Sequence, residues 1–156
     1  MSIYSVILFG RPRANFVLPN LQSMKSQTIY YLDDDQEDLD FFKEVTESLG
    51  HNVLLFTQGR RMLQALDNEA EKPDIIFLDI HMPILNGEEI VALIKKTEEW
   101  KDIPIVMVSG AYPKKLVRHF SEIGVNYLLK RPSIHDFKEA IENVLKMDIK
   151  SSQING

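Results

Sequence analysis

Short apolar runs alternate with amphipathic stretches along most of the chain. Thr28-Ile29-Tyr30-Tyr31-Leu32, Val53-Leu54-Leu55-Phe56, Ile75-Ile76-Phe77-Leu78, Ile105-Val106-Met107-Val108 and Tyr127-Leu128-Leu129 are of strand length and rich in β-branched, aromatic and large aliphatic residues. Between them apolar positions recur at helical spacing: Leu39, Phe42, Val45 and Leu49; Met62, Leu63 and Leu66; Ile90, Leu93 and Ile94; Leu116, Val117, Phe120 and Ile123; Ile134, Phe137, Ile141, Val144 and Leu145. Gly50 and Gly124 stop the first and fourth of these helices. Strands that alternate with helices predict parallel pairing through right-handed crossovers. The strands are apolar throughout, as expected when helices cover both faces of a sheet. The fold class is α/β, a doubly wound, five-stranded parallel sheet.

The ends differ from this pattern. In residues 1–27 an apolar run, Ile3 to Phe9, is broken by Gly10-Arg11-Pro12-Arg13. No cationic region precedes the run and no small-residue cleavage site follows it, so a signal peptide fits poorly. Two readings stay open: a weakly structured extension, with Met24 as an alternative working start, or an arm that docks on a partner. The regular pattern spans residues 28–148, and residues 149–156 form a polar tail.

Composition narrows the classes. A length of 156 residues suits one domain with a sizeable core. The absence of cysteine excludes a disulfide framework, a thiolate metal site and a cysteine nucleophile, and fits a reducing, cytoplasmic setting. A formal charge of -5 argues against nucleic acid as the main partner. No apolar stretch is long enough to insert across a membrane.

The chemistry lies at the strand ends. The third strand ends on Asp79, followed by Met82-Pro83 and Asn86-Gly87. Alone, Asp79 reads equally as a cap on the next turn or as a ligand or reactive group. The first strand ends on Asp33-Asp34-Asp35, the fourth on Ser109 and the fifth on Lys130. A parallel sheet brings all these ends to one edge, where open α/β sheets hold their ligands. Carboxylates gathered there repel and raise one another's pKa. A magnesium ion, held by oxygen ligands with waters retained, removes that cost. With Lys130 as a compact cation and Ser109 as a hydroxyl donor, the set meets the needs of phosphoryl transfer to a carboxylate.

Four motifs carry a family resemblance: L-D-D-D at 32–35, L-D-I-H-M-P at 78–83 with N-G following, V-S-G-A at 108–111 and Y-L-L-K at 127–130. In this order, each at a strand end, they make the chain resemble a response-regulator receiver domain of two-component signalling, from about Thr28 to Met147. The resemblance implies a flavodoxin-like sheet of order 2-1-3-4-5. It implies that Asp79 is the phosphoacceptor and that Asp33 and Asp34 are the acidic pair. Asp34 and Asp79 would ligate magnesium directly, Asp33 through water, and the backbone carbonyl of His81 would be another ligand. Ser109 matches the switch hydroxyl, Lys130 the lysine that pairs with the acceptor, and Tyr127 the aromatic rotamer switch. Asp35 has no family role.

The implied function is a single-domain response regulator, a signalling switch with autophosphorylation and autodephosphorylation chemistry more than an enzyme. It would take its phosphoryl group from a histidine kinase or histidine phosphotransfer protein. It would then signal to a downstream protein through the last helices and the fifth strand, where Lys114, Lys115, Arg118 and His119 lie. A homodimer is left open. Simpler readings stand beside these. Asp33 to Asp35 also suit a solvated helix cap, His81 a variable loop side chain, Tyr127 and Trp100 packing, and the basic residues an ordinary solvated face. A phosphorylation-independent binding or dimerisation module is the alternative for the whole chain. A phosphatase of the haloacid-dehalogenase type fits less well, because its second acid would fall on His81. One departure stands out: the family places proline directly after the lysine, joined by a cis bond, whereas here the order is Lys130-Arg131-Pro132. A cis bond before a non-proline residue costs roughly 3 kcal/mol, so a trans Lys130–Arg131 bond is expected. In the alternative, Arg131–Pro132 is cis and Arg131 moves towards the acceptor.

Overall fold

The structure, a computed structural model, describes residues 25–80 and 87–147. Strands and helices alternate: β1 (Thr28–Leu32), α1 (Gln36–Ser48), β2 (Asn52–Phe56), α2 (Gly59–Asn68), β3 (Ile75–Asp79), α3 (Gly87–Lys96), β4 (Ile105–Ser109), α4 (Lys114–Glu122), β5 (Tyr127–Lys130) and α5 (Phe137–Lys146). The strands form one parallel sheet in the order β2-β1-β3-β4-β5. This is the doubly wound flavodoxin-like arrangement that the pattern and the resemblance implied.

The pleat divides the core. Tyr30, Leu32, Ile76, Leu78 and Met107 face α2, α3 and α4, where Met62, Leu66, Ile90, Ile94 and Phe120 pack on them. Ile29, Tyr31, Phe77, Val106 and Leu129 face α1 and α5, against Leu39, Phe42, Ile141 and Val144. Phe42 sits with its ring centroid 4.4 Å from Tyr31 and 5.1 Å from Phe77, which joins α1 to the two central strands. Burial of each such side chain stabilises the fold by roughly 1.5–3 kcal/mol. Trp100 packs at the margin of the first cluster.

β3 and β4 are buried at every position, but β2 is not: Asn52 and Leu54 are exposed. The apolar run of β2 suggested a buried strand, and its place at the sheet edge is the reason it is only half covered. On α3 the buried stripe is Ile90, Val91 and Ile94, and Leu93 falls outside that arc. Ile134 is 77 % exposed and precedes α5, not part of it as its spacing suggested. A turn after Pro132 accounts for this: the Ser133 hydroxyl donates to the Asp136 carboxylate at 2.6 Å, so the helix begins at Phe137. Gly50 and Gly124 do close their helices, at φ of +87° and +95°, where a side chain would be strained. Gln27, assigned by its sequence to the extension, is tied to the domain by its N–H donating to His51 Nδ1 at 3.1 Å. Among the described residues no helix is long and apolar enough to cross a membrane.

Candidate functional site

Register sets the site. Leu32 of β1 lies opposite Leu78 of β3, so Asp33 and Asp79 emerge side by side at the carboxyl edge. Ser109 of β4 lies opposite Lys130 of β5.

Three consecutive aspartates at the end of β1 do three different things. Asp33 is fully buried; its carboxylate accepts from the Tyr31 hydroxyl at 2.6 Å and from the Asp35 N–H at 3.0 Å. Asp34 is exposed. Asp35 caps α1, accepting from the Glu37 and Asp38 N–H groups at 2.9 and 3.3 Å, where a carboxylate satisfies orphan donors and meets the positive end of the helix. Of the three, Asp35 is the one that caps α1 with its side chain.

Asp79 is buried at the end of β3. Gly87, at the start of α3, approaches it so closely that a Cβ there would lie 3.0 Å from the Asp79 carbonyl oxygen and 2.7 Å from Met107 Cε. Only glycine allows this approach without displacement. One carboxylate oxygen from each of Asp33, Asp34 and Asp79 lies within 4.8 Å of the other two. Oxygens around an octahedral magnesium ion at 2.0–2.1 Å are roughly 3 to 4 Å apart. The cluster fits such an ion with a small inward movement.

Among the described residues, the cation that reaches these carboxylates is Arg131. Its Nη1 pairs with Asp38 Oδ2, and its Nη2 lies 3.5 Å from Asp33 Oδ2 and 3.7 Å from Asp79 Oδ1. The described residues contain no cis peptide bond, so Lys130–Arg131 and Arg131–Pro132 are both trans. Lys130 is exposed and, among the described residues, makes no ion pair. Ser109 is buried, with its hydroxyl donating to the Ala111 carbonyl at 3.1 Å and accepting from the Ala111 N–H at 3.3 Å. Tyr127 is half-buried against the α1–α5 cluster. The backbone carbonyl of His81 lies outside the described residues.

Two tyrosines near the site were not singled out by sequence. Burial, then the bond to Asp33, raises the Tyr31 pKa far above its usual value, so this hydroxyl stays a donor to Asp33. Tyr112 follows β4, and its hydroxyl donates to the carbonyls of Met107 at 2.8 Å and Leu129 at 3.2 Å, bridging β4 and β5. Burial and the nearby Asp79 charge raise its pKa as well. Tyr31 was findable, because strand period two puts it on the face of Asp33; nothing local marks Tyr112. On α4, Lys114, Lys115 and Arg118 are exposed, while His119 Nε2 sits 3.2 Å from Glu88 of α3.

Comparison with known proteins bears on this arrangement. The family model described as response regulator receiver domain matches residues 29–142. The sensor histidine kinase TmoS of Ectopseudomonas mendocina is 28 % identical over 133 residues, covering 85 % of this chain and 13 % of that protein. The response regulator Rcp1 of Synechocystis sp. is 25 % identical over 131 residues, covering 79 % of this chain and 89 % of that one. The receiver domain of the sensor histidine kinase PA1611 of Pseudomonas aeruginosa, solved with magnesium coordinated in its active site cleft, superposes with a TM-score of 0.69 at 21 % identity. That match covers 81 % of this chain and 99 % of that one.

Proposed function

The chain belongs to the response regulator receiver domain family, and from that premise we propose that it works as a single-domain response regulator, phosphorylated on Asp79 with magnesium as cofactor. The observation that carries this reading is the convergence of Asp33, Asp34 and Asp79, from two strand ends, on one cluster. The breadth of the match to Rcp1 supports the single-domain part. The magnesium held by the PA1611 receiver supports the metal.

Asp33, Asp34 and Asp79 would hold the ion, with the His81 carbonyl completing the set. Bound magnesium supplies charge neutralisation for the carboxylates and for the phosphoryl oxygens. The donor is a phosphohistidine on a histidine kinase or phosphotransfer protein, in the cytoplasm. An Asp79 oxygen attacks phosphorus in line: the O–P bond forms, the P–N bond breaks, and its electron pair leaves with the imidazole. Buried Asp33 and its Tyr31 bond hold the acid cluster in position during the attack. Ser109 then leaves its turn with Ala111 and donates to a phosphoryl oxygen, and Lys130 swings in from solvent. Both movements bias a pre-existing two-state equilibrium. The exposed Lys114, Lys115 and Arg118 on α4 offer the downstream protein a basic face.

The test is intact mass after incubation with magnesium and acetyl phosphate. The expected outcome is one phosphate on the wild type, absent from Asp79→Asn and from magnesium-free samples. No phosphate on folded wild type, alongside a receiver that does label, would overturn the reading in favour of a phosphorylation-independent binding or dimerisation module.

A further inference from the structure

Hydrogen bonding of β5 does not stop at Lys130. The Arg131 N–H donates to the Ser109 carbonyl at 2.8 Å, so the strand geometry runs one residue further. Pleat alternation then sets Arg131 on the side of Leu129, facing α1, and Lys130 on the side of Leu128, facing α4. Arg131 therefore meets carboxylates from three places in the fold: Asp38 on α1, Asp33 after β1 and Asp79 on β3.

The three contacts are not alike. Asp38, half-buried, takes Nη1 directly, whereas Nη2 stands 3.5 and 3.7 Å from the two buried carboxylates. The longer distances are those of ion pairing more than of good hydrogen bonds. Arginine keeps its charge at any ordinary pH, and its fork can serve two carboxylates at once. Two buried like charges side by side need a cation, and Arg131 supplies one from the protein itself. Its side chain is 35 % exposed, which leaves it room to withdraw.

We propose that Arg131 is a tethered cation that competes with the divalent ion for Asp33 and Asp79, with Asp38 as the place it withdraws to when metal binds. The inference rests on the magnesium reading above and adds a positioning residue to it. A divalent ion among the same oxygens would lie a few ångströms from the guanidinium, and the two charges repel. An interaction that stabilises the metal-free pocket and is given up when metal binds weakens metal binding by the free energy given up. Arg131 thus sets the magnesium concentration at which the site fills.

Titration calorimetry with magnesium chloride, on wild type, Arg131→Met and Arg131→Gln, tests this at fixed ionic strength. Both variants should bind magnesium about fivefold tighter or more. They should also melt lower than wild type in chelator and close to wild type in saturating magnesium. Lys146→Met, at the far end of α5, controls for net charge and should bind like wild type. A merely structural role for Arg131 predicts the opposite sign, because a loosened site binds metal more weakly. Equal or weaker binding by the Arg131 variants, with wild type binding normally, would overturn this proposal and leave the proposed function standing. No magnesium binding by any of the proteins would overturn both.

Discussion

The two halves of the site are built on different principles. On the β1–β3 side Asp33 accepts from its near neighbours, the Tyr31 hydroxyl and the Asp35 N–H, and both Asp33 and Asp79 are also paired with Arg131, which arrives from the far end of the chain after β5. On the β4–β5 side the Ser109 hydroxyl is engaged, among the described residues, with Ala111 alone, two residues away, and Lys130 is exposed. The acid half is preorganised before any ligand arrives. The hydroxyl-and-lysine half is held by local bonds, each with a net worth of about 1 kcal/mol, which a phosphoryl group can displace. Tyr112 limits how far that displacement spreads, because its hydroxyl ties the β4–α4 loop back to the sheet. Conformational change should therefore start at Gly110-Ala111, and the carboxylates should stay in place.

The contrast is most exposed to test through metal binding. Asp33→Ala should weaken magnesium binding by about 10- to 100-fold, while Ser109→Ala should change it by less than about twofold, both measured by titration calorimetry. Comparable losses would erase the distinction between the halves. Stability gives a smaller effect. Tyr31→Phe leaves the buried Asp33 carboxylate short of a donor and should cost about 1–3 kcal/mol in urea unfolding. Tyr127→Phe, at a half-buried tyrosine of the other half, should stay within about 0.5 kcal/mol of wild type.

A pH-dependent effect belongs to the opposite edge of the sheet, where a buried imidazole has, among the described residues, no charged partner such as Arg131 provides for Asp33. His51 accepts from the Gln27 N–H, and its Nε2 has no partner among the described residues. Burial lowers its pKa below the ordinary 6.5. As pH falls through 6.5, the unfolded chain takes up a proton that the folded chain resists, so the stability present above this pH is lost below it. Between pH 6.5 and 5.5 wild type should lose up to about 1 kcal/mol more than His51→Gln. Parallel stability profiles for the two proteins would show that His51 titrates as it does in the unfolded chain.

Much of the fold was legible because its signals are local. Apolar runs gave the strands, helical spacing gave the helices, and Gly50 and Gly124 marked two of the stops. The misplacements share one cause, since spacing does not report what covers a residue. Leu54 lies on an edge strand, Leu93 outside the packed arc of α3, and Ile134 before a helix that starts late. At the site, the strand-end positions of Asp33, Asp79, Ser109 and Lys130 could be read directly. That Asp33 is buried and Asp34 exposed could not, because neighbouring residues with the same side chain differ only in the direction the backbone gives them.

By itself, then, the sequence determined the order of elements, their parallel pairing and the gathering of acids, a hydroxyl and a lysine at one edge. These follow from periodicity and from the handedness of crossovers, which act over short stretches of chain. Tertiary structure alone decided which cation answers the acids. Arg131 stands 93 residues from Asp38 and 98 from Asp33. Their meeting depends on β5 pairing one residue beyond Lys130 and on α1 packing beside it. Charge complementarity over such separations is set by packing, because an ion pair becomes strong only where the fold has already removed water from around the charges.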